Sequence, residues 1–265
     1  MSSTQLHFVH ANGFPAGCYS SFLGMLKNVE VKAIEKISHK STVLPKNLDA
    51  LVEEFVDSVM AGFEAPVIAM GHSTGACVVG LAASRYPYLF KGVIMLEPIF
   101  LSTSKRLIIG FLKTLGLIDY FGPSGAAKKR KNRFATINDA RIHFSRKNLF
   151  SNFDNACFED FMESGFYLKD GTIHLSFSTE IEAQLFRTIL VNIPRQLKHV
   201  KSTIIFGSKS NMISSWDVSW CRNSMFESSV QMVQGGHMFP LEMPRESAQL
   251  INETINVINS HENTH

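Results

Sequence analysis

Short apolar runs alternate with amphipathic segments along two stretches of this chain, and that alternation restricts the fold more than any other feature. Gln5-Leu6-His7-Phe8-Val9 reads as a buried strand running into the turn His10-Ala11-Asn12-Gly13-Phe14-Pro15. Val29 to Ile37 reads as a second strand. Leu48, Leu51, Val52, Phe55, Val56 and Val59 then fall at helical spacing and form one apolar stripe. Pro66 to Met70 is a strand, Thr74 to Arg85 a small-residue helix ended by Pro87, and Gly92 to Glu97 a strand. The pattern resumes with strands at 202–206 and 229–233 and helices at 215–226 and 244–258. Strands joined by helices require crossover connections, so the expected class is α/β with a mostly parallel, doubly wound sheet.

Between Pro98 and Leu197 the alternation stops. A long stretch between two sheet halves predicts an inserted helical cap, so we divide the chain into a core, 1–97 and 198–265, and a cap, 98–197. The insertion holds twelve phenylalanines, including Phe100, Phe111, Phe121, Phe144, Phe150, Phe161, Phe177 and Phe186. Rings at that density suit an apolar acyl pocket, or simply a cap that needs its own core. Residues 101–150 also carry eleven Lys/Arg against two Asp/Glu, densest at Lys128-Lys129-Arg130-Lys131-Asn132-Arg133. Such a run is either solvated surface or a site for an anionic group, such as a phosphate-bearing thioester or an acidic lipid.

Composition narrows the function classes. A hydrophobic fraction of 45% excludes global disorder, and a formal net charge of +3 gives no pointer to nucleic acid. Cys18, Cys77, Cys157 and Cys221 form no CxxC pair and no zinc spacing, so neither metal nor cofactor is expected. No apolar run of about 18 residues and no basic-then-apolar leader occurs, so the expectation is a soluble, cytoplasmic protein without an integral membrane segment.

Gly71-His72-Ser73-Thr74-Gly75 fits G-x-S-x-G and joins an apolar strand to a small-residue helix. That context puts a serine on a sharp strand-to-helix turn, where its hydroxyl is presented as a nucleophile. The competing reading is a plain helix N-cap. Among ten histidines, His72 is set aside as pointing away along the turn, and His7 as a core residue. His261 and His265 are set aside as members of a tail expected to be mobile. His237 follows a strand through Gly235-Gly236, which can lift an imidazole over the strand ends where the serine sits. An oxyanion hole needs two backbone N–H groups. The N–H of Thr74 is one candidate. The turn after the first strand supplies the other, with Asn12 favoured and Gly13 or Phe14 as alternatives.

Taken together, the turn 10–15, Gly71 to Gly75 and Gly235-Gly236-His237 resemble the α/β-hydrolase superfamily in its capped serine-hydrolase type. The resemblance implies acyl-transfer chemistry, with His237 as the base for Ser73. It also implies a small-molecule ester or thioester as partner. Two departures stand out. The first strand corresponds to what would be the family's third, so the usual first hairpin is not expected. Gly207-Ser208-Lys209-Ser210 stands where members often carry Gly-x-x-Asp. Glu97 is the favoured acid, because it ends a strand at the carboxyl edge of the sheet and Pro98 keeps it out of the helical region. Some members place the acid after this strand. Asp217 is the alternative, although it falls within an expected helix. Three readings remain: a carboxylic-ester hydrolase, a thioesterase or acyltransferase, and a catalytically silent binding protein.

Overall fold

The computed structural model describes residues 3–64 and 66–262. Strands β1 (Thr4–Val9), β2 (Val29–Ala33), β3 (Val67–His72) and β4 (Phe90–Leu96) come first. Three short strands follow within the insertion: β5 (Arg133–Phe134), β6 (Phe166–Lys169) and β7 (Thr172–Leu175). β8 (Ser202–Gly207) and β9 (Ser228–Val233) complete the set. The central sheet has the order β2-β1-β3-β4-β8-β9, and every pairing in it is parallel.

The sequence explains the layering. Along β3 all six residues are buried, but alternate ones serve opposite faces. Val67 and Ala69 join a cluster with Leu51, Phe55 and Val59 of the helix Asp49–Gly62. Ile68 and Met70 join a second cluster with Ile251 and Ile255 of the closing helix Pro244–Glu262. Each such fully buried aliphatic side chain contributes about 1.5–3 kcal/mol.

Several expected boundaries shift. β2 ends at Ala33 rather than Ile37, because the chain turns to give the Ile37 N–H to His10 Nε2 at 2.9 Å. The closing helix runs on to Glu262, so His261 belongs to it rather than to a tail, and His265 lies outside the described residues. The insertion is not purely helical. Its helices accompany an antiparallel sheet of order β5-β7-β6.

The phenylalanines of the insertion mostly serve its own packing. Phe144, Phe150, Phe161 and Phe166 meet one another at ring-centroid distances from 4.6 to 5.5 Å. Phe111 and Phe121 do not join them; they are exposed at 65% and 74%. The helix Thr103–Thr114, which carries Phe111, docks by its cations instead. Lys105 reaches Asp217, Arg106 lies 4.8 Å from the Trp220 ring, and Lys113 donates to the Ile189 carbonyl. Among the described residues, no helix is long and apolar enough to cross a membrane.

Candidate active site

Three neighbouring strand ends build the site. β3 and β4 pair in a register that sets His72 against Leu96. The next residue on each, Ser73 and Glu97, therefore emerges side by side at the carboxyl edge. Backbone bonds extend the ladder by one step: Ser73 N–H donates to Leu96 O and Glu97 N–H to Ile205 O, both at 2.8 Å. Both residues take positive φ, 55° for Ser73 and 49° for Glu97. Glu97, which Pro98 is expected to keep out of the helical region, has positive φ and so lies outside the right-handed helical region.

The flanking glycines of the turn are sterically required. A Cβ on Gly71 would overlap the Gly75 carbonyl, and one on Gly75 would overlap the carbonyl oxygens of Val9 and His10. The second contact also brings the turn after β1 against the start of the helix Thr74–Arg85.

His237 reaches this edge from beyond β9. Gly235 takes φ 126°, and the Gly236 N–H donates to Glu242 Oε2 at 2.5 Å, which fixes the approach. The His237 ring then spans the two strand-end residues. Its Nε2 accepts from Ser73 Oγ at 3.0 Å and its Nδ1 donates to Glu97 Oε2 at 3.1 Å. Glu97 is fully buried, and its other bonds come from the Gly207 N–H at 2.5 Å and Ser210 Oγ at 3.0 Å. Ser210, which occupies the place of the usual aspartate, thus holds the carboxylate rather than supplying one. An imidazole oriented in this way can take a proton from a serine hydroxyl as that oxygen attacks a carbonyl.

Asp217 lies apart from this group. It is the third residue of the helix Ser215–Ser224, in a capping box with Ser214. Burial alone would raise its pKa, but Lys105 and the donors of Ser102 and Ser214 overcome that and hold it at about 2. Asn12 is 8% exposed, and its Nδ2 donates to the Glu182 carbonyl at 3.0 Å. Thr74 is the first residue of its helix, where backbone N–H groups have no partner within the helix.

Sequence reading missed a supporting row behind the histidine. His72 is fully buried; its Nε2–H donates to the His237 carbonyl at 2.9 Å, and its Nδ1 accepts from the Tyr19 hydroxyl at 2.7 Å. Tyr19 in turn accepts from the Ala11 N–H at 3.3 Å. As expected for a residue set aside as a base, His72 points away from Ser73; it braces His237 from behind. His10 is fixed in the same manner, with Nδ1–H donating to the Ala11 carbonyl at 2.8 Å.

These internal imidazoles make the fold acid-sensitive. Burial lowers His7 and His10 to about 4. Burial, then the neighbouring His237, lowers His72 to about 3. The unfolded chain takes up these protons near histidine's ordinary value of about 6.5, while the folded state refuses them. Stability is therefore full above about pH 6.5 and falls as pH drops from there toward about 4, by about 1.4 kcal/mol per pH unit for each histidine. Urea midpoints at about pH 7 and about pH 5 should differ clearly; equal midpoints would mean that the three rings are not held neutral.

The profile of the alpha/beta hydrolase family matches residues 8–250, and the chain belongs to that family. Among solved structures it is similar to an E-2-(acetamidomethylene)succinate hydrolase, with a TM-score of 0.78 and 17% identity over 96% of this chain and 92% of that one. The thioesterase domain of the curacin biosynthetic pathway gives a TM-score of 0.72 and 16% identity over 94% and 91%. An esterase of M. tuberculosis gives a TM-score of 0.70 and 14% identity over 97% and 86%. At such identities the likeness bears on fold alone. No curated protein sequence matches the chain significantly.

Proposed function

We propose that this protein is a serine hydrolase that cleaves carboxylic esters through an acyl-enzyme on Ser73. The observation that carries this reading is the continuous hydrogen-bonded row from Ser73 Oγ through His237 to Glu97. His237 takes the hydroxyl proton as Ser73 Oγ attacks the ester carbonyl. The N–H groups of Thr74 and Asn12 stabilise the oxyanion, and His237 returns its proton to the departing alcohol. Water activated by His237 then releases the acid, while Glu97 holds the imidazole's tautomer throughout. Residues 98–197 act as the cap over this edge.

A fluorophosphonate probe tests the reading directly, because only an activated serine reacts with it. Stoichiometric labelling at Ser73, with hydrolysis of p-nitrophenyl esters, is the expected result. No labelling would leave a silent hydrolase fold used for binding. Faster turnover of acyl-CoA than of any p-nitrophenyl ester would favour a thioesterase.

The acyl group is proposed to be apolar. The phenylalanine-rich insertion motivates this reading. The apolar cleft beside Thr74, lined by Cys77, Ile99, Leu185, Ile189 and Leu190 among others, holds only about 20 Å³ and must open to admit an acyl chain. Lengthening a linear acyl chain from two to eight carbons should raise kcat/KM, by up to about fourfold per buried methylene at about 0.8 kcal/mol each. A flat or falling series would dismiss the apolar acyl pocket.

A further inference from the structure

A cavity of about 520 Å³ lies within the insertion, and its lining joins two opposed chemistries. Its apolar lining includes Phe144, Phe150, Phe186 and Leu149, and its cationic lining Lys129, Arg130, Lys131 and Lys147. Glu182 is the single carboxylate in the lining, and it is already engaged. Its side chain is 1% exposed and pairs with Arg130 at 2.6 Å. Among the described residues, none of the three lysines has a carboxylate within ion-pair distance. With His143 neutral, four cations against one carboxylate leave the lining at +3.

His143 also lines the cavity. Its ring meets Phe134 at 5.4 Å, and Lys131 Nζ lies 4.8 Å from that same Phe134 ring, so one ammonium group is held beside the imidazole. An open apolar pocket edged by exposed ammonium groups without carboxylate partners is suited to an elongated molecule with an anionic end.

The cavity touches the candidate active site twice. Glu182 abuts Gly13, where an added Cβ would stand 3.1 Å from Glu182 Oε1, and its carbonyl holds the Asn12 side chain. Phe150 meets Phe14 at 5.9 Å between centroids, with the rings tilted by 37°. Gly13 and Phe14 belong to the turn after β1, which packs against the nucleophile's helix. Ser73 does not line the cavity, so the cavity holds a part of the ligand remote from the reacting bond.

We propose that this cavity binds the anionic end of the substrate, and that the substrate is an ester or thioester whose acyl chain or leaving group ends in a carboxylate or phosphate. The inference rests on the esterase reading above for its reacting end alone. Lys131 and Lys147 set the preference for the anion, and the phenylalanines of the lining receive the methylene spacer.

The test compares p-nitrophenyl esters of dicarboxylic acids with the same compounds capped as neutral methyl esters, over a series of spacer lengths. At the best spacer, the carboxylate form should exceed its neutral analogue in kcat/KM by about tenfold or more, as expected for a hydrogen-bonded charged group. The advantage should disappear in Lys131→Met/Lys147→Met, with neutral-ester turnover and probe labelling of Ser73 unchanged. It should also shrink as ionic strength approaches about 1 M, where screening reaches about 3 Å. A second arm uses acyl-CoA against a neutral N-acetylcysteamine thioester, and separates phosphate from carboxylate as the anion. Equal rates for charged and neutral members in both arms would overturn the proposal, as would an advantage that survives the double substitution. If no ester is turned over and Ser73 is not labelled, the esterase reading fails. Calorimetric binding of adipate then still decides the cavity's role. Binding that the double substitution abolishes supports the proposal, and no binding to the wild type at millimolar concentration overturns it.

Discussion

Ser73→Ala is expected to fold like the wild type and to lose about six orders of magnitude in kcat, the scale seen when a serine nucleophile is removed. Alanine retains the Cβ, so the turn at φ 55° and ψ −115° is neither relieved nor worsened. The lost atom is the Oγ that His237 Nε2 accepts from at 3.0 Å, and no other hydroxyl occupies that place in the row. The His237 side chain is 12% exposed, so solvent can take over the vacated bond without a large desolvation penalty. Ester hydrolysis, fluorophosphonate labelling and a thermal melt together make the measurement. Labelling that persists at the wild-type level would remove Ser73 from the role of nucleophile.

The second large effect is at Glu97. Its carboxylate accepts three bonds in a fully buried place: Gly207 N–H on Oε1, and Ser210 Oγ and His237 Nδ1 on Oε2. A glutamine has one acceptor oxygen and one NH₂ group. Whichever way the amide turns, it sets a donor against a donor, either at Gly207 or at His237. The negative charge that would stabilise the imidazolium is also lost. Glu97→Gln should lower kcat by about four orders of magnitude, the loss that follows when an orienting acid becomes an amide. Asp217→Asn should leave kcat near the wild-type value. Asp217 caps its helix and pairs with Lys105 at 2.5 Å, so that change should lower stability instead, by about 1–3 kcal/mol. The reverse ranking of the two variants would transfer the acid's role to Asp217.

The sheet was legible because its signals are local. β3, the turn at Ser73 and the helix Thr74–Arg85 lie within twenty residues of one another, and the strand and the helix each carry their own periodicity. The suggestion of Glu97 came from an absence, since Gly207-Ser208-Lys209-Ser210 offers no acid. What escaped reading was nonlocal. Tyr19, His72 and the His237 carbonyl form one row, yet nothing near Tyr19 in the chain announces it. The same holds for Glu182, which meets Asn12 across 170 positions. In the insertion, β5 has two residues and β6 and β7 four each, too short for alternation to register. Glu242 could have been suspected, since it lies five residues after His237 and its carboxylate answers the Gly236 N–H.

The backbone angles at the two strand ends carry a consequence for attempts to harden this protein. Ser73 and Glu97, at φ 55° and 49°, are held where side chains with a Cβ rarely settle. Such positions store on the order of 1–3 kcal/mol apiece, and glycine releases most of it. At Glu97 that gain is offset, because the buried donors of Gly207, Ser210 and His237 would lose their acceptor. Heat-resistance screens that never assay turnover will therefore drift toward glycine at Ser73, the site that holds the hydroxyl. The most robust descendants of such a screen would be well-folded shells with an empty reaction edge. Durable variants must instead draw their gains from surfaces far from positions 73 and 97.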